Sequence, residues 1–558
     1  MKKSILLFLA IFCFQISLFT FNCSAQTPDW LWAKTAVRNY NAGPFNQVSA
    51  NSIAIDASGN IFVAGTFSSD TIIFDTTKLV SAGYDDLFLV KYNSNGNIIW
   101  AKRAGGKSGD VVTSVAVDVS GNAYITGHFD LDTLVFDTIN LINAGNSDIF
   151  IAKYDPAGNV IWAKSIGGTN YEYANSIATD VSGNIFITGS FGSSTILFDT
   201  ITLNNPNLYS YFLAKYDAGG HAQWAKTAKG TYWDVGTSVA IDTAGNPCVT
   251  GHFLSNSIIF GNDTLTNATF SIDIFLAKYG ANGNLLWAKS AGEINSDFPT
   301  SVAIDASGNN YITGYFGDSG EGFHKTSFFD SLANAGYYDI FLAKYNLNGN
   351  VIWSKSFGGI HWDIANSIAL DTSGNLYITG YYNSPTLPFN STLLTNTDSA
   401  DIFVVKLDTS GTVLWAKSVG GTGDDAANSI AMDHAGKIYV AGTFNSGTLV
   451  FGATTLANLD GYSNIFLAKL DSSLITGLME MQNFPTISLF PNPATTALFI
   501  TLPQKSQIQI LNIQGQLIRT ISKAEKETTI DIRDLSSGVY IIKAITEDGM
   551  AVKKFVKE

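Results

Sequence analysis

The sequence predicts an all-β chain: a seven-bladed β-propeller closed by an N-terminal strand, followed by a small immunoglobulin-like β-sandwich. Three observations carry this. A motif of the form "NSIAIDASGNIFVAGTF" recurs seven times, starting at residues 51, 113, 175, 237, 300, 366 and 428, a period of 62 to 66 residues. Composition is turn-rich, with 51 Gly and 13% aromatics against only 14% charged residues, which suits short strands and neither long amphipathic helices nor a disordered chain. Finally, the blocks of the repeat are offset. A "WAK" or "WSK" block stands at Trp32, ahead of the first full repeat, recurs at Trp100, Trp162, Trp224, Trp287, Trp353 and Trp415, and is missing after the last.

Each repeat parses into four strands. "SIAID" alternates small or polar residues with branched ones, "ASGN" supplies a tight Gly turn, and "IFVAGTF" follows. After an insert come "DLFLVKY", the turn "NSNGN" and "IIWAKRAG". Four antiparallel strands in a repeat of this length describe a propeller blade. Ser and Ala in the first strand suit a crowded central axis, and the bulky Phe and Trp columns fall where the gaps between blades widen. The offset predicts that "WLWAKTA" forms the outer strand of the seventh blade, beside the strand around Phe466, so that no sheet edge is left open at the ends.

The first 25 residues differ from the rest: Lys2 and Lys3, an apolar run, then "CSA" before Gln26, the pattern of a removable signal peptide and therefore of export. Removal leaves Cys248 as the single cysteine, so the mature chain can hold no internal disulfide. The mature chain is expected to have no transmembrane span. Residues 26–485 carry 21 basic and 39 acidic residues, a net charge of −18, which repels phosphate backbones and argues against nucleic acid as a partner.

Segments such as "VAVDVSGNAYITG" and "IFIAKYDPAGNVIWAK" resemble the bacterial β-propeller repeats called SBBP, and the resemblance spans residues 29–473. It implies a propeller over 26–473 and little about activity. After a linker at 474–485, residues 486–558 show seven or so short strands separated by turns at "QG", "SSG" and "EDG", a small β-sandwich pattern. Here "LFPNPATTALFITL", "ILNIQGQLI", "IDIRDLSSGVYIIKA" and "KKFVKE" resemble the C-terminal sorting domain of the type IX secretion system of Bacteroidetes. That resemblance implies the type IX machinery as a partner and a secreted or outer-membrane surface location.

Strand order places the short turns on one face of the ring. The long, varied inserts and the blade-to-blade loops fall on the other, where ligands are expected. In those loops a carboxylate recurs three residues before the Asn/Thr-Ser of the inner strand: Asp110, Glu172, Asp234, Asp297, Asp363 and Asp425, with Val48 in the first blade. Six such groups near a channel mouth form a candidate Ca2+ site. The more economical reading is that each accepts hydrogen bonds from its own loop, because nearly every blade repeats it. Residues that break the symmetry are sharper clues. Tyr171, Tyr232, Trp233, His361 and Trp362 flank these carboxylates, and exposed aromatics stack on sugar rings, anchor protein partners or fill gaps between blades. The fifth insert, with Glu321, His324 and Lys325, is a further candidate loop. Asp-Thr/Ser pairs in the inserts, as at Asp137-Thr138, resemble the acceptor for Bacteroidetes O-glycosylation; their plainer reading is a hairpin tip with Phe74, Phe136 or Phe198 packed beneath.

No HExxH, phosphate loop or Ser elbow is present, and His128 and His252 share a column that holds Thr, Ser or Tyr in other blades. The leading expectation is a non-enzymatic propeller, with no cofactor, that binds glycan or protein through its long-loop face. An extracellular hydrolase or lyase with a site assembled from several blades, or a structural adhesion or surface-layer component, are the alternatives.

Overall fold

The computed structural model describes residues 28–39, 47–205, 208–267, 271–292, 295–317, 332–396, 398–458, 461–471, 488–502, 505–512, 516–546 and 549–558. The leader at 1–25, the insert residues Glu321, His324 and Lys325, and the linker at 474–485 lie outside them. The described residues are strands and turns with no helix, and the chain divides into two compact units at residues 474 and 475.

In the first unit the repeat folds into four-stranded antiparallel sheets. The first complete one runs Val48–Ile55, Ile61–Phe67, Asp86–Tyr92 and Ile98–Ala104 in spatial order. Five more sheets repeat that order. One further sheet is built from both ends of the unit: Asp425–Met432, Lys437–Phe444 and Asn464–Asp471 are joined by Trp30–Thr35, with Ala33 opposite Ala468. The next residues, Val37–Asn39, pair with Thr71–Phe74 in the insert of the first complete sheet.

Local chemistry explains each turn. Asp56 Oδ1 accepts hydrogen bonds from the Ser58 and Asn60 amides, both at 2.9 Å, its Oδ2 accepts from the Asn60 side chain, and Gly59 supplies the left-handed residue at φ +77°. The insert between second and third strands is a short hairpin, as between Thr133–Phe136 and Ile139–Ile142. Asp75, Asp137 and Asp199 sit at hairpin tips with φ near +50°, and Phe74, Phe136 and Phe198 are buried below them.

Inner strands are joined by a two-handed clasp. Every first strand carries a register shift at its Asn or Thr, as between Ala50 and Ser52, which turns two successive side chains toward the next sheet. Asn51 Nδ2 donates to Val112 O at 2.7 Å, while Ser52 Oγ accepts from the Val115 amide at 3.1 Å. The Ser bond recurs from Ile177 to Ser114, Val239 to Ser176, Val302 to Ser238, Ile368 to Ser301, Ile430 to Ser367 and Ile53 to Ser429.

Further out, apolar residues from two neighbouring sheets share each core. Tyr124, Ile149 and Ile151 pack with Ile177, Ile187 and Phe212, for example. The Trp of each outer strand reaches the following sheet: Trp100 Nε1 donates to Pro156 O at 3.1 Å, and its ring covers Gly158, where a Cβ would clash at 2.9 Å. Trp32 covers Gly96 in the same way. A nearly buried lysine lies beneath. Lys91 sits 4.7 Å over the Phe62 ring, 3.5 Å from Asp56, and donates to Pro156 O, so its charge has partners on three sides. Cys248 is buried and free.

The second unit forms two sheets: Ser488–Phe490, Ala497–Thr501 and Glu527–Asp531 in one, and Leu517–Ala524, Ser506–Asn512, Gly538–Thr546 and Gly549–Lys557 in the other. Leu498, Ile500, Ile510, Ile530, Ile542 and Phe555 form the core.

Candidate functional site

The blade-to-blade loops hold the predicted carboxylates, all six of them buried. Asp110 Oδ2 accepts from the Gly106 amide at 2.6 Å. Glu172 accepts from the amides of Gly168 and Ser193, both at 3.0 Å, and Asp234 accepts from Ser255 Oγ. Asp363 takes the Gly359 amide and Ser384 Oγ, while Asp425 takes the Ser446 amide and hydroxyl. These five carboxylates thus bind the backbone and hydroxyls around their own loops. Asp297 occupies the same position, and its amide donates to Ile272 O. Among the described residues no three His, Cys, Asp or Glu side chains gather in a set able to hold a metal ion.

A second layer of carboxylates was not singled out in the sequence. Asp86, Asp148, Asp273, Asp339 and Asp401 open the third strands and are buried too. Across the sheet in register stand Gly105, Gly167, Gly292, Gly358 and Gly420, where a Cβ would fall 1.6 to 2.5 Å from the Asp carboxylate. The two exceptions compensate. Ser210 stands opposite Lys229 and Asn464 opposite Val37, so a side chain appears where the Asp is lost. The signal was legible as a covariation between columns inside one chain, since glycine is required only where the carboxylate fills the space of its side chain.

Burial raises the Asp110 carboxyl to about 8, with Asp86, Asp130 and Asp132 adding like charge. Burial likewise lifts Asp234 and Asp339 to about 7, and Asp363 and Asp401 to about 6.

The predicted aromatics fall into two groups. Parallel backbone bridges link Tyr209 to Trp233 and Tyr338 to Trp362, setting the loop residue that precedes each carboxylate beside the residue that directly precedes Ser210 or Asp339 at the start of the third strand. In the first group Tyr171 stacks at 6.3 Å on Tyr173, Tyr173 meets His128 edge-on at 4.8 Å, and Trp233 meets Tyr209 at 5.9 Å. In the second, His361 stacks on Tyr337, and Tyr338 contacts Tyr315 at 5.2 Å. Tyr315 in turn contacts Phe298, which meets His252 at 5.5 Å. Trp233 is 55% exposed and Trp362 48%, while Tyr171 and Tyr232 are each 41% exposed. The structure therefore brings Tyr171 and Trp233 into one group with Tyr173 and Tyr209, and His361 and Trp362 into another. Tyr173 flanks Glu172 in the sequence as Tyr171 does, whereas nothing in the sequence singles out Tyr209, Phe298, Tyr315 or Tyr338.

Comparison with known proteins matches this architecture. Residues 40–66, 99–128 and 352–385 match the beta-propeller repeat family SBBP. Residues 488–558 match the secretion system C-terminal sorting domain, the tail of type IX secretion substrates. That domain indicates a secreted or outer-membrane surface location and implies interaction with the type IX machinery. No helix among the described residues is long and apolar enough to cross a membrane.

An uncharacterized WD repeat-containing protein of Acanthamoeba polyphaga mimivirus is 27% identical over 499 residues, covering 73% of this chain and 36% of its own. The regulatory protein FlaEY of Caulobacter vibrioides is 24% identical over 341 residues, covering 57% of this chain and 34% of its own. The chain thus spans about a third of the length of these curated relatives. Among solved structures, the Pan2 WD40 domain of Neurospora crassa is similar at 9% identity and a TM-score of 0.36, covering 79% of this chain and 97% of that one.

Proposed function

We propose that the first unit is a ring of seven blades, closed by the strand Trp30–Thr35, and that it acts as a surface-displayed, non-enzymatic binding module. The pairing of Ala33 with Ala468 and the bond from Ile53 to Ser429 support closure. In this reading the long-loop face takes a glycan or a protein. The observation that carries it is the exposure of Tyr171, Tyr232, Trp233 and Trp362 on blade-to-blade loops, beside carboxylates whose oxygens are engaged by their own backbone. Rigid aromatic rings held on short loops give contact area at low entropic cost.

The test is a binding screen of the purified exported chain against glycans and host surface proteins, with Trp233→Ala and Trp362→Ala as variants. Loss of binding by at least about tenfold in either variant, roughly the 1.4 kcal/mol of one lost contact, is the expected result. Ligands whose affinity is indifferent to both substitutions would remove this face from consideration.

A further inference from the structure

His128 and His252 lie at one column of the second strand, 124 residues and two blades apart, and each meets an aromatic from the next blade. His128 contacts Tyr173 edge-on at 4.8 Å and His252 contacts Phe298 edge-on at 5.5 Å. Tyr173 and Phe298 are themselves equivalent, each following the loop carboxylate directly. No other blade pairs these columns so: Thr66 stands with Val111, Ser190 with Val235, Tyr315 with Ile364, Tyr381 with Ala426 and Thr443 with Ser49. A further ring flanks each pair, Tyr171 stacked on Tyr173 and Tyr315 stacked at 5.0 Å on Phe298.

We infer that these are two equivalent subsites for an uncharged saccharide chain, in which a sugar face packs on Tyr173 or Phe298 and a hydroxyl bonds to the adjacent imidazole. The inference rests on the reading of the long-loop face as the binding face. Its polar partner is already present: Nδ1 of His128 is buried without a hydrogen-bond partner among the described residues, and a buried polar atom left so is costly until something satisfies it.

Burial lowers both imidazoles, His252 to about 4, so at neutral pH each ring is uncharged, with one donor and one acceptor nitrogen to offer hydroxyl groups. Charge on the face narrows the ligand. Asp130 lies near His128 and the propeller segment is strongly acidic, which disfavours sulfated or uronic chains. Glu172, beside Tyr173, is turned to amides around its own loop, leaving a basic peptide without its natural counter-charge at that subsite. Apolar rings with a few convergent neutral polar atoms fit an uncharged sugar.

The experiment is isothermal titration of the full exported chain with uncharged hexasaccharides of glucose, mannose, galactose, xylose and N-acetylglucosamine, alongside a sulfated hexasaccharide and an Arg/Lys-rich peptide. Binding to at least one uncharged chain is expected. His252→Ala, Phe298→Ala and Tyr173→Ala should each weaken it by about tenfold, whereas Tyr173→Phe and the column control Thr443→Ala should not. Thermal melts establish that each variant folds, and His128→Asn serves where an alanine variant does not.

Binding of none of the uncharged chains overturns the inference, as does binding that the Tyr173→Ala/Phe298→Ala pair leaves unchanged. If Trp233→Ala or Trp362→Ala still abolishes that binding, or if only the sulfated chain or the peptide binds and does so through those tryptophans, the face reading survives without the subsites.

Discussion

The backbone amide of Ile53 donates a hydrogen bond to Ser429 Oγ at 3.2 Å, across 376 residues of sequence. The same bond joins Val115 to Ser52 and Val239 to Ser176, which lie only 63 positions apart. In a closed ring these bonds are equivalent; in an open stack the long one would contribute nothing. Ser429→Ala should therefore cost about as much as Ser176→Ala, roughly 1 kcal/mol each for a lost bond to a part-buried amide. Urea unfolding of the two variants is the measurement, and a Ser429→Ala midpoint equal to wild type would count against closure.

Trp30 places the N-terminal strand under the same scrutiny. Its ring is buried and meets Phe451 edge-on at 4.8 Å, whereas Leu31 beside it is exposed. Truncating a buried Trp costs about 3–5 kcal/mol, and surface changes usually stay within about 0.5 kcal/mol. Trp30→Ala is expected to lower the unfolding midpoint sharply and Leu31→Ala hardly at all. Equal, small effects would mean that the strand is docked only loosely.

Gly420 tests the carboxylate cradle. A Cβ there would lie 1.6 Å from Asp401 Oδ1, while at Gly447 the nearest atom is 4.0 Å away. Gly420→Ala should destabilise by more than about 2 kcal/mol through overpacking, and Gly447→Ala should be close to neutral. Adding Asp401→Ser should recover much of the loss, because the chain itself places Ser210 opposite Lys229 at the equivalent positions. A double variant no better than Gly420→Ala would show that the clash is not the cause.

Asp110 sets the sign of a pH dependence. Its folded value of about 8 lies above the 3.8 of a free carboxyl, so between these limits the folded state holds more protons than the unfolded one. The contribution is complete below about pH 4 and is lost as pH rises toward 8. Asp234 and Asp339, both about 7, act in the same direction. Asp110→Asn removes one titrating group. It should match wild type near pH 4, have the higher urea midpoint at pH 8, and show a shallower slope between. Parallel pH profiles for the two proteins would refute this assignment.

Much of the architecture is legible along the chain because it is local and repeated. Period-two alternation, Asp-x-x-Gly-Asn turns and the recurring Trp columns depend on neighbours a few residues away, so seven copies announce themselves without a partner in view. The offset of Trp32 even points to the strand pairing found beside Phe466. Hairpins with Phe74, Phe136 and Phe198 beneath are local in the same sense.

Contacts between repeats are a different matter. That Asp401 fills the space over Gly420, or that His252 leans on Phe298, depends on which faces meet when sheets pack, and no short window of sequence contains both partners. The loop carboxylates illustrate the divide: their spacing is plain from Asp110 to Asp425, yet only folding aims Asp110 or Asp425 at amides around its own loop and not at a common ion. Periodicity is written in backbone preference, which acts over a few residues, whereas a site is made by side chains that packing brings together from distant ones.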